Sequence, residues 1–315
     1  MEETRKCQVL VVGAGPGGYV AAIRSAQLGL DTVIVEGDKA GGTCLIRGCI
    51  PSKAIIHAAD RFEALQKHSN DGGHMGISVD AGAEIDMQAL VGWKDSIVTR
   101  LNKGVEALLK GSGAELINGW ATFTGPKKCT VEGENVNVNI EAENVIIATG
   151  SSHIDLPFMP CDEKFILSST GALDLDKLPK TAAIVGGGYI GLELGCALSK
   201  LGTEVTVVEG MDSILAIMDK EIRRPLEIWL KKHKVAIHTN ALARSAEIKG
   251  KGASRKVHLT FQKEGKEQTI KVDKVLVTVG RKPNTKGWGL ENMGIRMDTG
   301  GRFIRIDHQC RTNIP

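Results

Sequence analysis

The chain has 315 residues, about two domains at roughly 150 residues each, and its 42% hydrophobic content supplies a core for both. Forty Lys and Arg against 37 Asp and Glu leave a formal charge of +3, and aromatic residues make up only 4%, so no basic groove or base-stacking surface is expected and nucleic acid is set aside as a partner. The longest apolar runs, such as Val9–Val12 and Val145–Ala148, fall far short of the ~20 residues that cross a bilayer, and the charged start Met1–Lys6 carries no signal core, so a cytoplasmic protein without a membrane span is expected.

Gln8–Val12 reads as a strand and ends in Gly13 Ala14 Gly15 Pro16 Gly17 Gly18; a helical stretch to Leu28, stopped by Gly29, and a second strand, Thr32–Val35, ending in Glu36, follow. Every landmark returns 173 positions further on (Gly13 to Gly186): Ala182–Val185, the turn Gly186, Gly188 and Gly191, a helix to Leu201 stopped by Gly202, and Val205–Val208 ending in Glu209. In such a unit the first glycine makes the tight turn, the second lets backbone approach a pyrophosphate, and the third packs helix on strand. The acid accepts from a ribose hydroxyl. One copy is weak evidence; two, each set between strand and helix, predict two dinucleotide sites. Glu209, with no arginine close behind it, repels a 2′-phosphate and points to NAD at the second site.

Between the repeats, residues 83–109 carry helical spacing and are expected to pack inside the first domain. Segments 115–147 and 234–279 alternate as antiparallel strands do, and 249–256 reads as a solvated hairpin loop. Met211, Met218, Trp229 and Trp288 are read as packing residues.

Of seven cysteines only Cys44 and Cys49 lie close together, in GGTCLIRGCIPSK (41–53). Five positions along an ideal helix place Cα atoms ~8.7 Å apart, beyond the roughly 4.4–6.8 Å a disulfide tolerates, so a bond requires a distorted segment, which Gly48 permits. The residues alone leave open a redox relay, a structural bridge and two inert buried thiols. The eight histidines (57, 68, 74, 153, 233, 238, 258, 308) have no ligand spacing with any cysteine, and no metal is expected.

Two dinucleotide motifs with a C-x4-C pair behind the first resemble the pyridine nucleotide–disulfide oxidoreductases. The resemblance extends through VIIATGSS (145–152), GGGYIGLELG (186–195), VTVVEG (205–210) and VTVGRKPNT (277–285). It implies an α/β fold of two doubly wound Rossmann-like domains: an FAD domain at 1–150 with a redox-active disulfide, an NAD domain at 151–280 that interrupts it, and a return at 281–315. It further implies a flavoprotein that reoxidises protein-bound dihydrolipoyl groups with NAD⁺, with lipoyl domains of 2-oxo acid dehydrogenase or glycine cleavage complexes as partners and a homodimer as the assembly. Cys44 is then the thiol that exchanges with substrate, Cys49 the one beside the flavin, and Lys53 and Glu193 a pair at the same centre. FAD contacts fall to Gly13, Gly15, Gly18, Glu36, Gly42, Thr43, Lys53, Gly119, Ala121 and Gly150, and NAD contacts to Gly186, Gly188, Gly191, Glu209 and Gly280. Ile46 and Ala216 depart from the family pattern, where asparagine and proline are usual. Family members run longer, so a segment with a Gly-Asp pair for the flavin side chain and a C-terminal dimerisation domain with a His–Glu pair are expected to be absent from these 315 residues. Other disulfide reductases, mercuric reductases, and a catalytically incomplete FAD/NAD-binding fragment are the rival readings.

Overall fold

Runs of valine, isoleucine and leucine become parallel strands here, because both faces of a parallel sheet are covered and polar alternation is not required. The computed structural model describes residues 4–70 and 82–315; the side chains of 69, 70 and 253 fall outside that description, as do His74 and residues 1–3 of the charged start. In chain order the first elements are β1 (Thr4–Val12), α1 (Pro16–Gln27), β2 (Thr32–Glu36), α2 (Gly42–Arg47), α3 (Cys49–Asn70), α4 (Met87–Ser112), β3 (Glu115–Asn118), β4 (Trp120–Gly125), β5 (Lys128–Gly133) and β6 (Val136–Ile147). After them come β7 (Ser151–His153), β8 (Ile166–Leu167), α5 (Ser169–Leu173), β9 (Thr181–Val185), α6 (Tyr189–Leu201), β10 (Glu204–Val208), α7 (Lys220–Lys232), β11 (Ala236–His238), β12 (Ala241–Lys249), β13 (Lys256–Lys263), β14 (Lys266–Val272) and β15 (Lys274–Val277).

The chain divides into two units, one of Met1–Ile50, Ile97–Ser152 and Lys282–Pro315, the other of Pro51–Ser96 and His153–Arg281. In the first unit the sheet runs β3-β2-β1-β6-β5-β4, parallel as far as β6 and antiparallel beyond. Period-two geometry splits its strands cleanly. Leu10, Val12, Val33 and Val35 pack with Phe123, Val131, Ile140 and Trp288 on one face. Val9, Val11 and Ile34 pack with Ala22, Val105 and Leu109 on the other.

The second unit repeats the design with a parallel sheet, β11-β10-β9-β15-β8. Ala182, Ile184, Val205 and Val207 meet the helical layer, where Leu192, Leu194, Ala197 and Leu201 of α6 are buried. Ala183, Val185, Val275 and Val277 share a core with Val257, Leu259 and Phe261 of the antiparallel sheet β12-β13-β14. Helix α6 stops where the chain turns left-handed at Gly202, φ 109°.

Four expectations need correcting. Glu115–Asn118, Ala236–His238 and Lys274–Val277 lie inside the two strand-rich segments yet pair in parallel with the central sheets, since alternation does not encode strand direction. Residues 51–96 group with the second unit, not with 1–50, because Ile55, Ala59, Met87 and Leu90 share the core of Ile184 and Leu194. Helix α4 therefore does not pack wholly within the first unit: Leu90 belongs to the second unit's core, and Val105 and Leu109 to the first's. Met211 and Met218 are exposed, whereas Trp229 and Trp288 pack as expected.

Candidate functional site

Both repeats place their glycines at the carboxyl end of the strand where neighbouring strands diverge, the position at which open α/β sheets bind ligands. In the first, Gly13 takes φ 97°, and a Cβ there would stand 2.3 Å from the Ala148 carbonyl oxygen. A Cβ on Gly18 would stand 1.7 Å from the Gly13 oxygen, so the helix lies directly on the turn. In the second, Gly186 takes φ 102°, and a Cβ would meet the Thr278 carbonyl oxygen at 2.6 Å; one on Gly191 would meet the Gly186 oxygen at 2.5 Å. Beyond the adjoining backbone, nothing lies within 4 Å of the Cβ positions of Gly17 and Gly188. Neither α1 nor α6 has a side-chain cap or an acid in its first turn. Their leading N–H groups accordingly offer an anion a site at each helix start.

The two acids are wired alike. Glu36 Oε2 accepts from the Ala14 N–H at 2.7 Å and Oε1 from the Asp38 N–H at 2.9 Å. Glu209 Oε2 accepts from the Gly187 N–H at 2.5 Å and Oε1 from the Met211 N–H at 2.7 Å. Each carboxylate thus fixes its glycine turn and keeps lone pairs for a ribose hydroxyl. Burial pushes the Glu36 carboxyl above its ordinary value, opposed by the Ala14 N–H, the charge of Arg47 and the Gly37 N–H.

The segment after β2 folds back onto the first turn. Gly41 donates its N–H to Ala14 O at 2.7 Å, Asn102 Nδ2 donates to Ala40 O at 2.7 Å, and Arg47 pairs with Asp38. Gly42, at φ 58°, presses so closely on the first turn that a Cβ would lie 2.4 Å from the Gly15 Cα. Helix α2 starts there and carries Thr43 and half-buried Cys44; it breaks at Gly48 (φ −146°, ψ −110°), and exposed Cys49 opens α3. The required distortion is present, since five residues of continuous helix do not separate the cysteines. Elsewhere burial pushes the Cys7 thiol up to about 11, Cys129 to about 12, and Cys196 to about 11 against the opposing charge of Lys200. Those three are poor nucleophiles at neutral pH.

In the second unit Lys53 Nζ lies 3.3 Å from Glu193 Oε1, both side chains well exposed. Gly280, at φ 128°, accepts from the Ile154 N–H at 3.1 Å. In the first unit Gly150 accepts from the Asn284 N–H, and Gly119 donates its N–H to Glu36 O at 2.8 Å. Beside that strand end opens a cavity of about 920 Å³ whose lining includes Gly37, Gly119 and Trp120 but neither Cys44 nor Cys49. Ala121 is not brought to this edge by its side chain; it is a core residue paired with Val131.

Two contacts are not evident from the sequence. Ala148 closes the first turn by donating its N–H to Val12 O, and Thr278 does the same for the second by donating to Val185 O, each at 2.8 Å. Thr278 Oγ1 also donates to Gly186 O at 3.0 Å. The trace is a small residue two positions before Gly150 and Gly280, but the 173-residue offset is lost there. Spacing likewise misses a group in the second unit: donor atoms of His153, Cys161 and Glu163 lie within 4.8 Å of one another, against the expectation of no metal-ligand grouping. Among the described residues no helix is long and apolar enough to cross a membrane.

A chain with two glycine-turn frames, each braced by its own acid, and with a cysteine pair mounted on the first has the architecture of a flavoprotein disulfide reductase. The family model for pyridine nucleotide-disulphide oxidoreductases matches residues 7–315. The chain is 46% identical over 308 residues to the dihydrolipoyl dehydrogenase of Geobacillus stearothermophilus, covering 98% of this chain and 63% of that one. It is 45% identical over 315 residues to that of Pseudomonas aeruginosa, covering 100% and 65%. Among solved structures, LpdA from Mycobacterium tuberculosis superposes with a TM-score of 0.85 at 27% identity, covering 97% of this chain and 65% of that one. The HOCl-induced flavoprotein disulfide reductase RclA from Escherichia coli does so at 0.79 and 26%, covering 97% and 63%. The chain belongs to the pyridine nucleotide-disulphide oxidoreductase family, and it spans a little under two thirds of the length of these relatives.

Proposed function

We propose that this chain is the dinucleotide-binding and dithiol-bearing part of a dihydrolipoyl dehydrogenase, which reoxidises protein-bound dihydrolipoyl groups with NAD⁺ in the cytoplasm. The observation that carries this reading is the seating of α2 on the first glycine turn through Gly42 and Gly15, which fastens Cys44 to a dinucleotide frame. The residues fit the cofactors: uncapped helix starts at α1 and α6 suit a pyrophosphate, and Glu36 and Glu209 suit a ribose hydroxyl. Gly13, Gly15, Gly18, Glu36, Gly42, Thr43, Gly119, Ala121 (through its backbone) and Gly150 are assigned to FAD, and Gly186, Gly188, Gly191, Glu209 and Gly280 to NAD. In this reading the unit of 1–50, 97–152 and 282–315 holds FAD, and the unit of 51–96 and 153–281 holds NAD. Lipoyl domains of 2-oxo acid dehydrogenase or glycine cleavage complexes are the partners, and the whole protein is a homodimer.

With Cys44 and Cys49 joined as a disulfide, a substrate thiolate attacks Cys44 Sγ, and the S–S bond breaks toward Cys49. The second substrate thiolate then displaces Cys44 from the mixed disulfide and closes the lipoyl disulfide. The substrate gives up two electrons and two protons; the cysteine pair gains both electrons and one proton, as thiol and thiolate, and the other proton passes to solvent. Lys53, held by Glu193, supplies positive charge one turn beyond Cys49 on α3. FAD, held at the first glycine turn and by Glu36, would supply two-electron redox chemistry between the cysteine pair and the nicotinamide.

The test is the visible spectrum of the purified chain during anaerobic titration with NADH. A bound flavin that gains a long-wavelength absorption on two-electron reduction, lost in Cys49→Ser, supports the assignment. A flavin that bleaches without that absorption removes the dithiol from the electron path.

A further inference from the structure

The stretch at which the chain re-enters the second unit, from His153, folds tightly on itself. After His153 the chain reverses, with a bridge between Leu156 and Met159 and the Met159 N–H donating to Leu156 O at 2.8 Å. Cys161, Asp162 and Glu163 follow. Asp162 Oδ1 is taken up by the N–H groups of Lys164, Phe165 and Ile166, at 2.8, 2.7 and 2.9 Å. Glu163, at φ 54°, is turned the other way, and its Oε2 accepts from the Ser168 N–H at 3.1 Å. A Cβ on Gly171 would stand 1.9 Å from that oxygen, so the bare glycine makes room for the carboxylate.

These constraints gather unlike donors. A ring nitrogen of His153, Cys161 Sγ and a Glu163 oxygen lie within 4.8 Å of one another, with His153 and Cys161 half-buried. Asp155 Oδ1 is 3.2 Å from His153 Nε2. Carboxylates alone collect on many surfaces without a ligand. An imidazole and a thiol among them are different, because sulfur and nitrogen donors select zinc-class ions over calcium and magnesium. Donors at roughly 2.0–2.3 Å from one ion stand about 3.3–3.8 Å apart, so the three-residue group must contract by about 1 Å, and Asp155, which lies outside that group beside His153, must move in to complete a fourth position. We propose that His153, Cys161 and Glu163, with Asp155 as fourth donor, bind a zinc-class divalent cation. With no position left open, such a site is structural: it ties residues 153–163 together and does not depend on the dithiol reading.

The experiment uses the 315-residue chain carrying Cys44→Ser and Cys49→Ser, stripped with chelator and titrated with Co²⁺. One equivalent should bind with a thiolate-to-metal charge-transfer absorption, which Zn²⁺ erases by displacement. Cys161→Ser, or Cys161→Ala as a second variant, should abolish the band. His153→Ala should weaken binding at least tenfold and Asp155→Asn by roughly 10–100-fold, with unchanged far-UV circular dichroism reporting an intact fold. A parent chain without the band, or a band that survives both Cys161 variants, overturns the site.

Discussion

Cys44 and Cys49 sit on different elements, and the proposal gives them different tasks: one rides the short helix seated on the glycine turn, the other begins the long helix after the break. If Cys44 is the exchange thiol as proposed, replacing it should stop lipoyl turnover while leaving the flavin bound. Stopped-flow measurement on full-length protein should therefore find Cys44→Ser at least a thousandfold slower with dihydrolipoamide, and its absorbance unchanged. Glu209→Ala tests the second acid: loss of the carboxylate that disfavours a 2′-phosphate should reduce the NADH over NADPH preference about tenfold, and an unchanged ratio would remove the basis for assigning NAD there. Gly42→Ala places a side chain at φ 58° against backbone that has no room to swing aside, and should lower stability by ~1–3 kcal/mol in urea unfolding. Gly17→Ala, in open space within helix α1, should be neutral or slightly stabilising in the same assay.

Helices α3 and α4 show what an element contributes beyond its own amphipathic stripe. Periodicity reveals that α4 buries one side, but not that Leu90 and Leu109 end in different cores, because that depends on strands more than 70 residues away in sequence. The glycine turns were legible for the opposite reason: their demand is local, a positive φ or a backbone approach that only glycine meets, and it reads the same wherever the strand sits. Ala148 and Thr278 escaped because a small residue fits many settings. The His153, Cys161 and Glu163 group escaped because its geometry arises from a chain reversal and a bare glycine on α5. Buried Lys94 of α4 gives an element-level test. Its ammonium donates to Leu173 O at 3.0 Å and pairs with Asp174, so Lys94→Ala should strand that carbonyl and cost about 1–3 kcal/mol in denaturant melts. The exposed Lys53–Glu193 pair should contribute less than about 1 kcal/mol, so any large activity loss in Lys53→Ala is chemical and not structural.

Over the whole molecule, acid should weaken the second unit through specific carboxylates. Burial pushes the Asp273 carboxyl up, but Lys256 and both the N–H and hydroxyl of Thr181 outweigh it and hold it below its ordinary value. Burial likewise raises Glu63, and His233 and Lys67 more than reverse it. A carboxyl depressed on folding contributes stability that is complete above its unfolded value and lost as pH falls through the folded one. Hydrogen exchange should therefore find the second unit's protection level above about pH 5 and falling below roughly pH 4, with Asp273→Asn flattening the fall.

The matched bracing of the two glycine turns also carries a history. Glu36 and Glu209 hold backbone N–H groups, at Ala14 and Asp38 in one case and at Gly187 and Met211 in the other, all with the same 173-residue offset. Every residue except proline has that N–H, so the side chains at those partner positions were free to drift while the circuit stayed closed. Two copies of one ancestral unit, joined in tandem, would diverge in this way, with descent recorded in the few glycines and acids that backbone geometry forbids to change.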